Sequence, residues 1–231
     1  MSTPPALSKK LAAEAIGTFV FVLVGAGSAV GTASLASPDS GAALVIAALA
    51  NGVGLAVAET ATASISGGAL NPAVVIGLLV GKKIGARDVV PYIVAEMVGA
   101  VAAGVALVAS FPSLLGNQVE WGSPTLNGAI SSGQGIAIEA LLTFFLMFAI
   151  YGTAVDPRAP KIGGIGIGLT VVADVLVGGN FTGAAMNPAR AFGPMIAAGF
   201  YPGYWYVYIL GPLIGAVIAG LAYRYLLEQS A

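Results

Sequence analysis

Three observations predict an all-α membrane protein of six transmembrane helices plus two reentrant half-helices, arranged as an inverted repeat. Charge is scarce: of 231 residues, 58% are hydrophobic and 8% charged, against about 25% charged in a soluble domain. Six apolar stretches are each long enough to cross a bilayer, and two more are about half that length. The two halves of the chain also resemble each other.

With so few charges, most of the surface must face lipid, so the bilayer is the first partner. The net charge of −1 offers nothing to nucleic acid. No cysteine is present, which excludes disulfides and thiolate-held metals, and the absence of histidine removes the commonest metal ligand and general base. An enzyme would have to work with carboxylates, and no two share a motif, so neither catalysis nor a cofactor is expected. The apolar run from Leu11 is too long for a cleaved signal.

The six stretches run over Leu11–Ala36, Gly41–Thr62, Val89–Phe111, Gly135–Val155, Ile162–Gly178 and Gly203–Leu227. Breaks fall at Ser37-Pro38-Asp39, Pro112–Gly133 and Asp156–Lys161. Asn71–Val80 and Asn187–Ala198 are apolar but cover only ~15 Å at ~1.5 Å per residue, half the ~30 Å hydrocarbon core. With six spans, Lys9, Lys10, Lys82, Lys83, Arg87, Arg158, Lys161 and Arg224 all fall on one side, leaving Arg190 apart. The positive-inside rule then places both termini in the cytoplasm. Short termini without a sorting tail point to the plasma membrane.

The whole chain reads as one domain, with a first repeat at about 8–111 and a second at about 134–227. Glu14-Ala15-Ile16-Gly17-Thr18-Phe19 matches Glu139-Ala140-Leu141-Leu142-Thr143-Phe144. Ser66–Ala73 matches Thr182–Ala189, and Gly99–Gly104 matches Gly215–Gly220, both at an offset of 116 residues. Three spans per repeat, an odd number, turn the second copy upside down. Inverted repeats with interrupted helices place their site at the midplane.

Twin Asn-Pro-Ala tripeptides, Asn71-Pro72-Ala73 and Asn187-Pro188-Ala189, sit within the longer strings 66–74 and 182–194. In register within a repeat, they resemble the aquaporin (major intrinsic protein) family over about residues 8–227. Val89–Ile93 and Ala154–Lys161 look most like its archaeal branch.

Proline is tolerated at the first helical turn, where its missing N–H has no partner anyway. Pro72 and Pro188 therefore start helices, with Asn71 and Asn187 as caps. Each half-helix turns its positive end to the membrane centre, where a passing water accepts from both Asn amides and cations meet no compensating carboxylate. Gly67, Gly68, Ala69 and Leu70, with Gly183, Ala184, Ala185 and Met186, read as pore-facing carbonyls, because irregular backbone at this depth must line a cavity. In the family that the chain resembles, buried acids at the places of Glu14 and Glu139 brace these loops; a proton relay is the competing reading.

The resemblance also implies a four-residue constriction: Asn51, Val175, Ala184 and Arg190. Arg190 supplies fixed donors and repels cations, with a lipid-headgroup anchor as its bland alternative. Asn51 and Val175 replace the aromatic and the histidine of a strict water filter, and Ala184 is small. A wider pore for water and small neutral solutes of glycerol size is implied, although Ala191 stands where the glycerol branch has Asp. A glycerol, urea or ammonia facilitator with little water selectivity is the alternative, and an ion-coupled secondary transporter is the alternative of another class. Assembly as a homotetramer follows from the resemblance. Glu59 is expected toward the cytoplasmic vestibule, Asp174 near the filter or a subunit contact, and Glu96 has no assigned role. Tyr201, Tyr204 and Trp205 read as an interfacial belt, and Phe144, Phe145, Met147 and Phe148 as packing or lipid-facing residues.

Overall fold

A computed structural model describes residues 4–35, 41–160 and 162–228. The break at Ser37-Pro38-Asp39, the end of the first span at Ala36, and Lys161 lie outside the described residues. Six long helices carry the apolar stretches: α1 (Leu7–Ala33), α2 (Gly41–Ser66), α4 (Ala86–Ser110), α6 (Ser132–Ile150), α7 (Gly163–Thr182) and α9 (Val207–Ala222). A π-helical turn extends α6 over Tyr151–Val155 and another extends α9 over Tyr223–Leu227. The half-length stretches form α3 (Pro72–Val80) and α8 (Pro188–Ala198), each with Pro at its first turn. The predicted span ends that fall on described residues lie within four residues of the observed ones once the π-helical turns are included, with α2 running past Thr62 to Ser66 and α7 past Gly178 to Thr182.

Local chemistry sets the ends. Ser131 and Gln134 form a capping box at the start of α6. Gly183, at φ 78°, and Gly199, at φ 68°, close α7 and α8 in the left-handed region. The segment expected as a polar break at Pro112–Gly133 contains α5 (Ser113–Gln118) and a 3-10 turn at Glu120–Gly122. Trp121 anchors it, buried with Ala26, Val30 and Leu107.

α1 packs on α2 and α4, while α6 packs on α7 and α9. α2 and α7 join the two groups, α8 lies against α4, and α3 lies against α9. Large apolar side chains stand exposed on every long helix, including Val57, Val98, Leu141, Phe145, Leu169 and Ile218. Water cannot solvate such rows cheaply, so this is the lipid-facing surface of a multi-pass membrane protein. Tyr201 and Trp205 are exposed as an interfacial belt requires, whereas Met147 is fully buried against Gly77.

Small residues let the helices close up. A Cβ on Gly99 would lie 2.1 Å from the Ala15 carbonyl oxygen, and one on Gly215 would lie 2.1 Å from that of Ala140. Gly104 meets the Gly193 carbonyl on α8, and Gly220 meets the Gly77 carbonyl on α3, at 2.6 and 2.7 Å in the same sense. Each half-helix is thus clasped by a long helix of the opposite half. Gly99→Leu or Gly215→Leu should destabilise the fold by about 1–3 kcal/mol or more through overpacking against backbone. Thermal unfolding in detergent, followed by tryptophan fluorescence, checks this against Gly31→Leu, whose Cβ meets nothing within 4 Å.

Candidate functional site

Two loops, Gly67–Asn71 between α2 and α3 and Gly183–Asn187 between α7 and α8, meet inside the bundle. Neither is helical, so their buried N–H groups need partners other than the helix ladder. In the first loop the Gly67 N–H donates to the Ala63 carbonyl and the Gly68 N–H to the Ser66 hydroxyl. The Ala69 and Leu70 N–H groups donate to the Glu14 carboxylate at 3.1 and 2.7 Å. The Asn71 N–H donates to Glu96 at 2.9 Å.

The second loop repeats the scheme. The Gly183 N–H donates to the Gly179 carbonyl and the Ala184 N–H to the Thr182 hydroxyl. Ala185 and Met186 donate to Glu139 at 2.9 and 2.7 Å, and the Thr182 hydroxyl donates to the same carboxylate at 2.6 Å. Tyr92 donates its O–H to the Ser66 carbonyl at 2.8 Å, and Tyr208 donates to that of Thr182 at 3.0 Å.

At the tips, Asn71 Oδ1 accepts from the Ala73 N–H, and Asn187 Oδ1 accepts from the Ala189 and Arg190 N–H groups. Each side chain also reaches across: Asn71 Nδ2 donates to the Met186 carbonyl at 3.0 Å and Asn187 Nδ2 to the Leu70 carbonyl at 2.8 Å. An amide NH2 has two donors. One is engaged by the opposite loop, which fixes the group and leaves the other. Leu70, at φ 47°, and Met186, at φ 53°, hold a left-handed conformation costly for such side chains, over-determined here by bonds on both sides of the residue.

Asn71 and Asn187 line one cavity of ≈ 670 Å³. Gly67, Gly68 and Ala69, with Ala184, Ala185 and Met186, border it, whereas Leu70 and Gly183 are not among its lining residues. Leu70 turns its side chain onto Gly17, and Gly183 faces Pro124. The mouth carries Lys10, Lys83 and Asp88. There Glu228 pairs with Lys83 at 2.5 Å and holds its ammonium above the usual pKa range, tying the C-terminal end to the same face as Lys10.

The far end reaches Asn51 and Ala184. Arg190 Nε approaches Asn51 Oδ1 at 3.4 Å, and Arg190 NH1 donates to the Gly122 carbonyl at 2.7 Å. Asn51 in turn donates to the Ala47 carbonyl. Val175 is buried in the core cluster that also holds Ala184. The Gly122 carbonyl was not legible beforehand. Its residue adopts φ 74°, and a Cβ there would lie 2.4 Å from the Ala26 carbonyl oxygen, so only glycine lets the loop deliver this acceptor. Glu96, left without a role by the sequence, takes the Asn71 N–H, and the tyrosine pair was not singled out; Tyr92 and Tyr208 stand 116 residues apart, the repeat offset that relates them. Asp174 is buried with Oδ2 lacking a partner and does not line the cavity.

A family model described as Major intrinsic protein matches residues 1–223. The chain is 41% identical to the probable aquaporin TIP2-2 of Oryza sativa subsp. japonica over 94% of this chain and 86% of that one. It is 39% identical to the aquaporin AqpM of Methanothermobacter marburgensis over 96% of this chain and 99% of that one. The X-ray structure of the aquaglyceroporin from Plasmodium falciparum superposes with a TM-score of 0.87 at 21% identity, covering 96% of this chain and 97% of that one, which establishes the shared fold.

Removing a brace tests the site. Glu139→Ala leaves two backbone N–H groups and a hydroxyl without their acceptor, at about 1–3 kcal/mol each. Unfolding midpoint and permeability per folded protein should both fall, Glu139→Gln should lose less of each, and Glu14→Ala should behave like Glu139→Ala. Thermal denaturation together with stopped-flow light scattering on proteoliposomes reads both quantities.

Proposed function

The chain belongs to the major intrinsic protein family, and on that premise we propose a passive channel for water and small neutral solutes, gated against ions and protons at the twin Asn tips. Membership makes it a membrane channel and not an enzyme. The observation that carries the mechanism is the reciprocal anchoring of Asn71 on Met186 and of Asn187 on Leu70 beside one continuous cavity.

Each tip keeps one amide donor for the passage, next to the positive end of a half-helix. A water at that point accepts from both donors, so its own hydrogens turn outward along the pore in both directions. The relay by which protons hop is interrupted, and a cation meets two positive ends. Acceptors take over on either side, because the loop N–H groups are engaged and the carbonyls remain. Both loops thus replace the hydrogen bonds that a water gives up on entry.

The constriction we assign to Asn51, Val175, Ala184 and Arg190. Its polar side is a guanidinium held by Asn51 and the Gly122 carbonyl, and its other side is small and apolar. Without a ring at position 51 or 175, the opening accommodates solutes of glycerol size. Both termini we assign to the cytoplasm, since the basic residues around the mouth share a face and positive residues stay inside. We further assign an inverted repeat of residues 8–111 and 134–227, a plasma-membrane location and a homotetramer, in which exposed apolar rows on the long helices are covered by lipid or by another copy.

Proteoliposome permeabilities for water, glycerol, urea and ammonia test the channel. Water conduction above empty vesicles is expected, with glycerol passing as well. Asn51→Phe and Val175→His restore ring bulk and should cut glycerol flux by about tenfold or more, with water largely preserved. Water conduction without any solute flux in the unmodified protein overturns the widened filter.

A further inference from the structure

Glu59 is an acid that the channel reading above does not use. It lies on α2, eight residues beyond Asn51, which is ~12 Å along the helix at ~1.5 Å per residue. The residue is 5% exposed and lines the cavity in the half nearer the mouth, and its Oε2 is buried without a hydrogen-bond partner. A carboxyl group in such a place is costly, and the cavity that the residue lines is the side from which further donors can come.

Its neighbours sharpen the chemistry. A Cβ on Gly68 would lie 3.0 Å from Glu59 Cγ, so the side chain rests against the loop whose backbone borders the cavity. The N–H groups of Gly67, Gly68 and Ala69 are engaged by Ala63, Ser66 and Glu14. What the loop has left is carbonyl oxygen, and Glu59 adds a further acceptor beside it. The same cavity is lined by apolar side chains too, Leu146, Ile150 and Ile167 among them. Water can fill such a site, but a molecule with several N–H or O–H donors on one side and little polarity on the other fits it better.

We propose that Glu59, together with the Gly67–Gly68 backbone, forms a binding station for small neutral solutes rich in hydrogen-bond donors, of the urea and polyol class, and so sets the ratio of solute to water flux. The proposal rests on the channel reading. It is one-sided: the residue that the repeat offset pairs with Glu59 is Val175, which offers no acceptor.

Proteoliposomes of the unmodified chain and of Glu59→Ala, Glu59→Met and Glu59→Gln decide it, with water permeability measured against sucrose and solute permeability against urea and glycerol. In the Ala and Met variants the solute-to-water ratio should fall about fivefold, the worth of one hydrogen bond of about 1 kcal/mol, whereas Glu59→Gln keeps an acceptor oxygen and should stay within about twofold of the unmodified chain. Rescue by Gln separates an acceptor from a packing role, and Met, close to Glu in length, decides the matter if the Ala variant fails to fold. An unchanged ratio, or equal losses of water and solute in the Ala and Met variants, overturns the station. Water conduction without solute flux in the unmodified chain overturns it too and leaves the channel standing, while vesicles no faster than empty ones overturn the channel reading itself.

Discussion

Backbone that leaves the helix inside a membrane must find partners for its N–H groups, and this constraint governs the molecule. The buried carboxylates of Glu14, Glu96 and Glu139 meet it, taking five loop N–H groups between them. A carboxylate is unusually suited to the task, since it accepts several bonds and donates none. The consequence reaches the loops' other groups: once their N–H donors are taken by the acids, the carbonyls are what the loops have left to offer. The acids do not line the cavity themselves, yet they hold the loops that do.

The two halves are also mutually dependent. Each Asn tip is anchored on the carbonyl just before the other tip. Each half-helix packs into a glycine notch on a long helix of the other half, Gly193 at Gly104 and Gly77 at Gly220. Neither tip therefore has its final geometry until both halves are in place. The amide groups are positioned by the assembled fold.

Much of this was legible from composition, stretch length and one offset. Apolar stretches of full and half length announced the spans and the reentrant elements, and the helix ends follow Pro72, Pro188 and Gly199 closely because proline and glycine act on local backbone. Glu14 and Glu139 stood out because a charge inside an apolar run needs a reason. Glu96 stood out no less, but its partner, the Asn71 N–H, lies on another element, and helical periodicity does not tell which neighbour a side chain reaches. The Gly122 carbonyl was harder still. It belongs to a connecting segment rich in polar residues, which the burial of Trp121 and the hydrogen bonds of Asn127 to the end of α7 hold against the bundle.

Apart from Glu96, which braces one loop and has Pro212 at the repeat offset, the bracing groups come in pairs. Glu14 with Glu139, Ser66 with Thr182, Tyr92 with Tyr208, and Asn71 with Asn187 recur in both halves and make equivalent bonds. All of them answer the demand for satisfied backbone at mid-membrane, which both loops feel alike. At the 116-residue offset, by contrast, Arg190 faces Val74, Asn51 faces Ile167, and Glu59 faces Val175. These three polar groups have no twin, so each acts on only one side of the Asn tips. A scaffold built twice cannot by itself distinguish one direction or one solute from another. Discrimination has to come from positions where the copies have diverged, and of these three Asn51 and Glu59 line the one cavity, while Arg190 stands against Asn51.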